Sequence, residues 1–290
     1  MKICPACSGS AVSPDWTCSG CGHRPPSLAT GLPLLAPELA QSERAFPSSD
    51  FARLAELEDG NYWFRSRSKL IVWVLRRHFP GFASFLEVGC GTGCVLAAVE
   101  AAFPSAACSG SEAHVAGLAH AAKRLRRSAL LQMDARRIPF RAEFDIIGSF
   151  DVLEHIEADR EVLDQCFLAL RSGGGVVLTV PQHRFLWSAR DEYARHVRRY
   201  TRGEILEKLH SAGFRPVRVT SFVSLLFPLM LISRASSRRP APGFDPEAEI
   251  RVGRLANWLL EAVLSFERWL IALGIRFPFG GSLLVVATRP

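Results

Sequence analysis

At 290 residues the chain is long enough for one full α/β domain plus an appendage. Hydrophobic residues make up 48%, mean hydropathy is +0.12, and the formal charge of +7 gives a pI near 9.2, a balance that permits anionic partners (phosphates, lipid headgroups, RNA) without choosing among them. The opening residues, Met1 to Pro5, lack the apolar core of a secretion signal, so a cytoplasmic protein is expected and the eight cysteines are not read as a secreted disulfide framework.

Cys4 and Cys7 form one Cys-x-x-Cys pair and Cys18 and Cys21 a second, with ten residues between them. Each pair can set two thiolates on one face of a tight knuckle. Four thiolates complete a tetrahedral zinc shell with no open position, so a structural Zn2+ is expected. Residues 1–24 resemble a zinc ribbon, too short to fold without its metal. Such a ribbon binds RNA or protein, or caps the domain that follows. Residues 25–50, rich in Pro, Ala and Ser without a period, read as a linker, and 51–290 as the main domain.

Tyr62, Trp63 and Phe64 precede a helix over 65–79, with Leu70, Ile71, Val74 and Leu75 at helical spacing. An apolar strand over 84–88, carrying Glu87, runs into Gly89, Gly91 and Gly93, and a helix over 95–103 follows. Such a turn lets a ligand lie against bare main chain, facing helix N–H groups. A dinucleotide fingerprint would need glycine at 94, where Cys94 stands. The second strand, 106–112, ends at Glu112, about twenty residues past the glycines, where a carboxylate can accept from ribose hydroxyls. A helix over 113–127 and a strand over 129–133 lead to Asp134 and Ala135. The fourth strand, 144–150, ends at Phe150 and runs into Asp151, Glu154 and His155. A helix over 159–170 and a strand over 176–180 come next; Thr201 and Glu204 form a capping box for a helix ending at Gly213, and strands fall at 215–221 and 282–288.

This ordered set, covering roughly residues 60–220, resembles the class I S-adenosylmethionine-dependent methyltransferases. The resemblance implies a Rossmann-like α/β fold: a seven-stranded, mostly parallel sheet with helices on both faces. It also implies S-adenosyl-L-methionine held by Glu87, Gly89, Gly91, Gly93, Glu112, Asp134, Ala135, Phe150 and Asp151, with Asp134 accepting from the adenine amino group. The Asp151–His155 stretch is similar to that of family members acting on quinone precursors and other small molecules. Enzymes methylating exocyclic base amines carry Asn/Asp-Pro-Pro-aromatic here, and Phe150-Asp151-Val152-Leu153 does not match. Cys90, Cys94, Cys108 and Cys166 read as small buried hydrophobes.

On the acceptor side, His155 is the first candidate base for a hydroxyl acceptor, or else bonds to backbone. The segment 181–200 mixes Trp, Tyr, His, Asp and Arg, with Asp191 and His196 as further acid–base candidates. Arg198 and Arg199 either clamp an anion or form solvated surface charge.

In the family the last two strands form a near hairpin. Here about sixty residues intervene, an insertion over 222–280 far above the usual connection length. It holds an apolar stretch at 222–232, an Arg- and Pro-rich stretch at 233–249 with Arg234, Arg238 and Arg239, and an amphipathic helix over 251–273. Residues 222–275 can lie in a membrane interface, placing the protein at the inner face of the membrane beside a lipid-linked acceptor, or fold as a lid or dimer surface. The expected function is O-methylation of a small-molecule or lipid-linked acceptor. The alternatives are an RNA methyltransferase docking through the ribbon and a non-catalytic adaptor.

Overall fold

The computed structural model describes residues 1–42, 47, 50–236 and 251–290. Seven strands form one sheet: β1 Ser84–Val88, β2 Ala107–Glu112, β3 Ala129–Gln132, β4 Phe144–Phe150, β5 Leu170–Pro181, β6 Arg215–Phe222 and β7 Ser282–Thr288. Their order is β3-β2-β1-β4-β5-β7-β6. β1 to β5 pair in parallel, and β7 runs antiparallel to both β5 and β6. This is the mostly parallel Rossmann-like sheet that the motif order implied.

The central strands are largely apolar because helices cover both faces. The two-residue period then divides them. Leu86, Val88, Ile147, Leu178 and Val285 join one core; Phe85, Ile146, Val177 and Leu284 join the other. The helices are α1 Asp50–Glu58, α2 Tyr62–His78, α3 Cys94–Ala102, α4 Val115–Arg124, α5 Asp159–Ala169, α6 Ala189–Tyr193, α7 Arg202–Ser211, α8 Phe227–Ser236 and α9 Arg254–Ala272. α2, α3 and α9 supply the second core, and α5 and α7 the first. The capping box of Thr201 and Glu204 opens α7.

The cysteine-rich segment is clipped onto this body. Lys2 bridges Phe140, Ile3 N–H donates to Pro139 O at 2.9 Å, and Trp16 is buried edge-on against Phe140 with centroids 5.6 Å apart. The segment read as a linker also makes definite contacts. Leu34 pairs in parallel with Gln132, and the Gln132 side chain exchanges two hydrogen bonds with the Ala36 backbone, at 3.0 and 2.7 Å. A few backbone groups are enough to cover the exposed edge of β3, which Pro- and Ala-rich composition does not announce. Residues 43–46, 48 and 49 of that stretch lie outside the described residues.

The insertion between β6 and β7 forms α8 and α9; residues 237–250, with Arg238 and Arg239, lie outside the described residues. α9 buries Leu264, Glu267 and Ile271 toward the body. Its Asn257 accepts from Tyr62 N–H at 2.8 Å, and Glu261 pairs with Arg65 and Lys69 of α2. The Glu267 carboxylate accepts from Ser224 and Leu225 N–H at 2.7 and 2.8 Å, tying the chain that enters α8 to α9. Among the described residues no helix is long and apolar enough to cross a membrane.

Candidate active site

The glycine turn sits at the carboxyl end of β1, where parallel strands present ligand loops. Gly89, Gly91 and Gly93 all take positive φ, at 73°, 52° and 79°. Gly89 is the most constrained: a Cβ there would stand 2.4 Å from Val152 Cγ2. The Gly89 and Cys90 N–H groups both donate to Ser111 O at 2.8 Å. Gly93 caps α3 without a side-chain bond, so the helix N-terminus faces the turn as bare backbone.

Glu112 closes the turn from β2. Its Oε2 accepts from Gly91 N–H at 3.0 Å, and its Oε1 from Ala113 and His114 N–H at 2.7 and 3.1 Å. Three backbone donors fix the carboxylate, and Oε2 keeps an acceptor position for a ligand hydroxyl. Asp134, expected to receive an adenine amino group, is held by Arg136, whose Nε lies 3.0 Å from both oxygens and whose Nη2 lies 2.7 Å from Oδ2. Arg136 therefore stands over that position, with Ala135 between the two. Glu87 is buried beneath the turn, and burial pushes its carboxyl up to about 8, with Arg67 acting against this. Its Oε2 has no hydrogen-bond partner among the described residues. Phe150 is buried at the end of β4, and Asp151 follows at φ 58°.

Several residues here escaped the sequence reading. Arg67 of α2 pairs with Asp151 and stacks on Trp63, its guanidinium 4.4 Å from the ring centroid. α1 lies over the turn: Glu58 accepts from Thr92 Oγ1 and Arg124, and Phe51 packs against Gly91 and Gly117. The signal for α1 was Phe51, Leu54 and Leu57 at three-residue spacing before Gly60.

Past β4, a short turn at Leu153–His155 buries Glu154 and sets the His155 ring edge-on to that of His196, centroids 4.7 Å apart. Burial, with His196 second, pushes His155 down to about 3, against a backbone bond at Ala194. Burial thus favours the neutral ring.

Asp191 is 1% exposed and sits within a hub. Its Oδ1 meets His196 Nδ1 at 2.9 Å and Arg199 Nε at 2.8 Å. Its Oδ2 accepts from Ser188 N–H and Oγ and from Arg199 Nη2, at 2.9, 3.0 and 3.0 Å. Burial alone would raise this carboxyl, but His196 and Arg199 hold it well below the usual range. Both Asp191 oxygens are thus occupied, one of them by His196 Nδ1. Both readings of the arginine pair give way to internal bonds. Arg199 is buried on Asp191, and Arg198 donates to Asp159 and to Glu157 O, each at 2.9 Å.

His183, Phe185, Phe227 and Phe279 gather from the 181–200 segment, α8 and the approach to β7, with centroids 5.0 to 5.7 Å from His183. Beyond them α9 exposes Leu255, Trp258, Leu259, Phe266 and Trp269. In the cysteine-rich segment the four sulfurs of Cys4, Cys7, Cys18 and Cys21 lie within 4.8 Å of one another, with Cys4–Cys21 and Cys7–Cys18 both at 3.7 Å.

Against known proteins, the family described as "Methyltransferase domain" matches residues 28–219. A probable S-adenosylmethionine-dependent methyltransferase of Mycolicibacterium smegmatis is 28% identical over 173 residues, 59% of this chain and 66% of that protein. A second, of Mycobacterium tuberculosis, is 26% identical over 205 residues, 67% of this chain and 66% of its own length. The chain thus spans just under two thirds of the length of the curated relatives it matches. In fold it is similar to a putative methyltransferase solved in complex with the Trm112 methyltransferase activator of Haloferax volcanii, with TM-score 0.55 and 17% identity, covering 83% of this chain and 98% of that one. With the glycine turn, the strand order and the matched domain in agreement, the chain belongs to the class I S-adenosylmethionine-dependent methyltransferases.

Proposed function

We propose that the chain transfers the methyl group to an oxygen of a small-molecule or lipid-linked acceptor, working against a membrane surface. The observation that carries this reading is the apolar face of α9, where Trp258 is 63% and Trp269 54% exposed, running with α8 toward the aromatic group around His183. A monomer rarely leaves so many aromatic side chains in water. Arg254 and Arg276 are exposed nearby and suit anionic headgroups.

The donor seat fits its ligand: the bare arc at Gly89, Gly91 and Gly93 leaves room for close approach, and Glu112 retains an acceptor position. S-adenosylmethionine, when bound, supplies an electrophilic methyl group on a sulfonium. An acceptor oxygen lone pair forms the new O–C bond while the S–C pair stays on sulfur. The hydroxyl proton passes to solvent water on the side of His155 and His196, which lie past β4 at the same edge as the turn. Arg67 holds Asp151 and so fixes the chain between the donor seat and this pair.

The cysteines fit a structural Zn2+. Bonds of about 2.3 Å give a tetrahedron with edges of about 3.8 Å, close to the 3.7 Å sulfur separations.

The test is transfer of labelled methyl from S-adenosylmethionine into a fractionated cell extract. Label is expected in the lipid or small-molecule pool, and label confined to RNA or protein would sink the reading. Binding to vesicles of anionic lipid is expected alongside.

A further inference from the structure

We propose that Glu154, His155 and His196 form a binding site for one divalent transition-metal cation, set by Asp191, on the acceptor side of the cleft. Among the described residues, two groups of three or more such side chains gather their ligand atoms: the four cysteines, and this one. Its three donors lie within 4.8 Å of one another. Ligands sharing an ion with bonds of about 2.1 Å stand roughly 3–4 Å apart, so the group needs only to draw in slightly.

Three observations beyond proximity point to a cation. Glu154 is 1% exposed, and its Oε2 has no hydrogen-bond partner among the described residues. A carboxylate oxygen buried this way wants a donor or a positive charge. The second is the Asp191–His196 contact, 2.9 Å from Oδ1 to Nδ1. A carboxylate on one imidazole nitrogen fixes the tautomer and leaves the lone pair on Nε2, the arrangement found behind metal-bound histidines. Asp191 cannot drift, because Ser188 and Arg199 hold both its oxygens. Third, Val197 N–H donates to Glu154 O at 2.7 Å, which locks the His196 segment beside the turn carrying Glu154 and His155. The ligands therefore come from two segments about forty residues apart, held in register by backbone.

Two imidazoles and one carboxylate suit Mn2+, Fe2+, Co2+ or Zn2+ better than Mg2+ or Ca2+, which prefer all-oxygen shells. Three protein ligands leave open positions for an acceptor hydroxyl. So held, that oxygen gives up its proton to solvent water more readily, forms its bond to the methyl carbon as the S–C pair remains on sulfur, and the ion keeps its oxidation state. This deepens the oxygen-methylation reading and rests on it for the role of the ion. The site itself stands or falls by binding, measured without donor or acceptor.

The experiment is titration with Mn2+ of the full chain carrying one Zn2+ per molecule, enough for the four thiolates alone, followed by loss of the free-ion electron paramagnetic resonance signal. Mn2+ avoids thiolates and so reports this site rather than the ribbon. One Mn2+ per chain is expected. Glu154→Gln and His196→Gln should each weaken it at least 100-fold, and Asp191→Asn about 10- to 100-fold. Circular dichroism and S-adenosylmethionine titration of the same variants establish that they are folded. Failure of the wild type to bind Mn2+, or equal binding by folded Glu154→Gln and His196→Gln, would overturn the site. Methyl transfer to oxygen would stand in that event, and a bound ion would stand if the labelled methyl appeared elsewhere.

Discussion

The donor half and the acceptor half of the cleft are built by different means. On the donor side, the turn at Gly89–Gly93, Glu112 and the α3 N-terminus present main chain, and the contacts that fix them run between neighbouring strands. On the proposed acceptor side, side chains do the fixing: Asp191 holds His196 and Arg199 within one loop, and Glu267 ties the chain entering α8 to α9 across some forty residues. Backbone recognition tolerates change in almost every side chain but not in a glycine. Side-chain recognition tolerates a change of chain length but not the loss of a partner.

The sharpest way to break the contrast is Gly89→Val. Its Cβ would meet Val152 at 2.4 Å from a left-handed backbone. Donor affinity by calorimetry should fall at least ~100-fold and stability by about 4 kcal/mol; unchanged affinity would mean the turn is not the donor seat. Asp191→Ala tests the other half. It strands Arg199 in the interior and should cost about 3–5 kcal/mol in chemical denaturation, while the remaining folded protein binds the donor within about 2-fold.

Glu87→Gln sharpens the donor side by pH. The folded carboxyl titrates near 8 against 4.5 unperturbed. Because the folded value is raised, the unfolded chain gives up this proton first. The carboxyl's contribution is greatest below 4.5 and is lost as pH rises toward 8. The variant should match wild type in thermal melting near pH 5 and gain on it, by a few kcal/mol at most, near pH 8. The smallest effect on the fold belongs to the double change Trp258→Ser and Trp269→Ser. Melting should shift by less than about 0.5 kcal/mol, yet binding to anionic vesicles should drop about 10-fold; equal vesicle binding would remove the membrane from the proposal.

The same division explains what the sequence disclosed. Gly89, Gly91, Gly93 and Glu112 lie close along the chain, and their spacing carries the strand–turn–helix geometry directly. The sheet architecture followed from the family that these motifs resemble, and the insertion before β7 from the sixty residues by which the chain departs from it. Arg67, Arg136 and Arg199 were illegible for one reason: an arginine looks alike in sequence whether it meets water, a ligand or a buried carboxylate. Asp191 read as a reactive acid because the loop turns Ser188, His196 and Arg199 onto it, which their spacing does not announce. The edge contact of Leu34 with Gln132 left no periodic trace.

β7 lies between β5 and β6 in the sheet but follows both along the chain. During synthesis on the ribosome, β5 and β6 must wait apart, each with an unpaired edge, until residues 282–288 emerge. By then α8 and α9 have already left the exit tunnel with their apolar faces bare. The insertion is therefore outside the ribosome, and open to a chaperone, before the sheet closes.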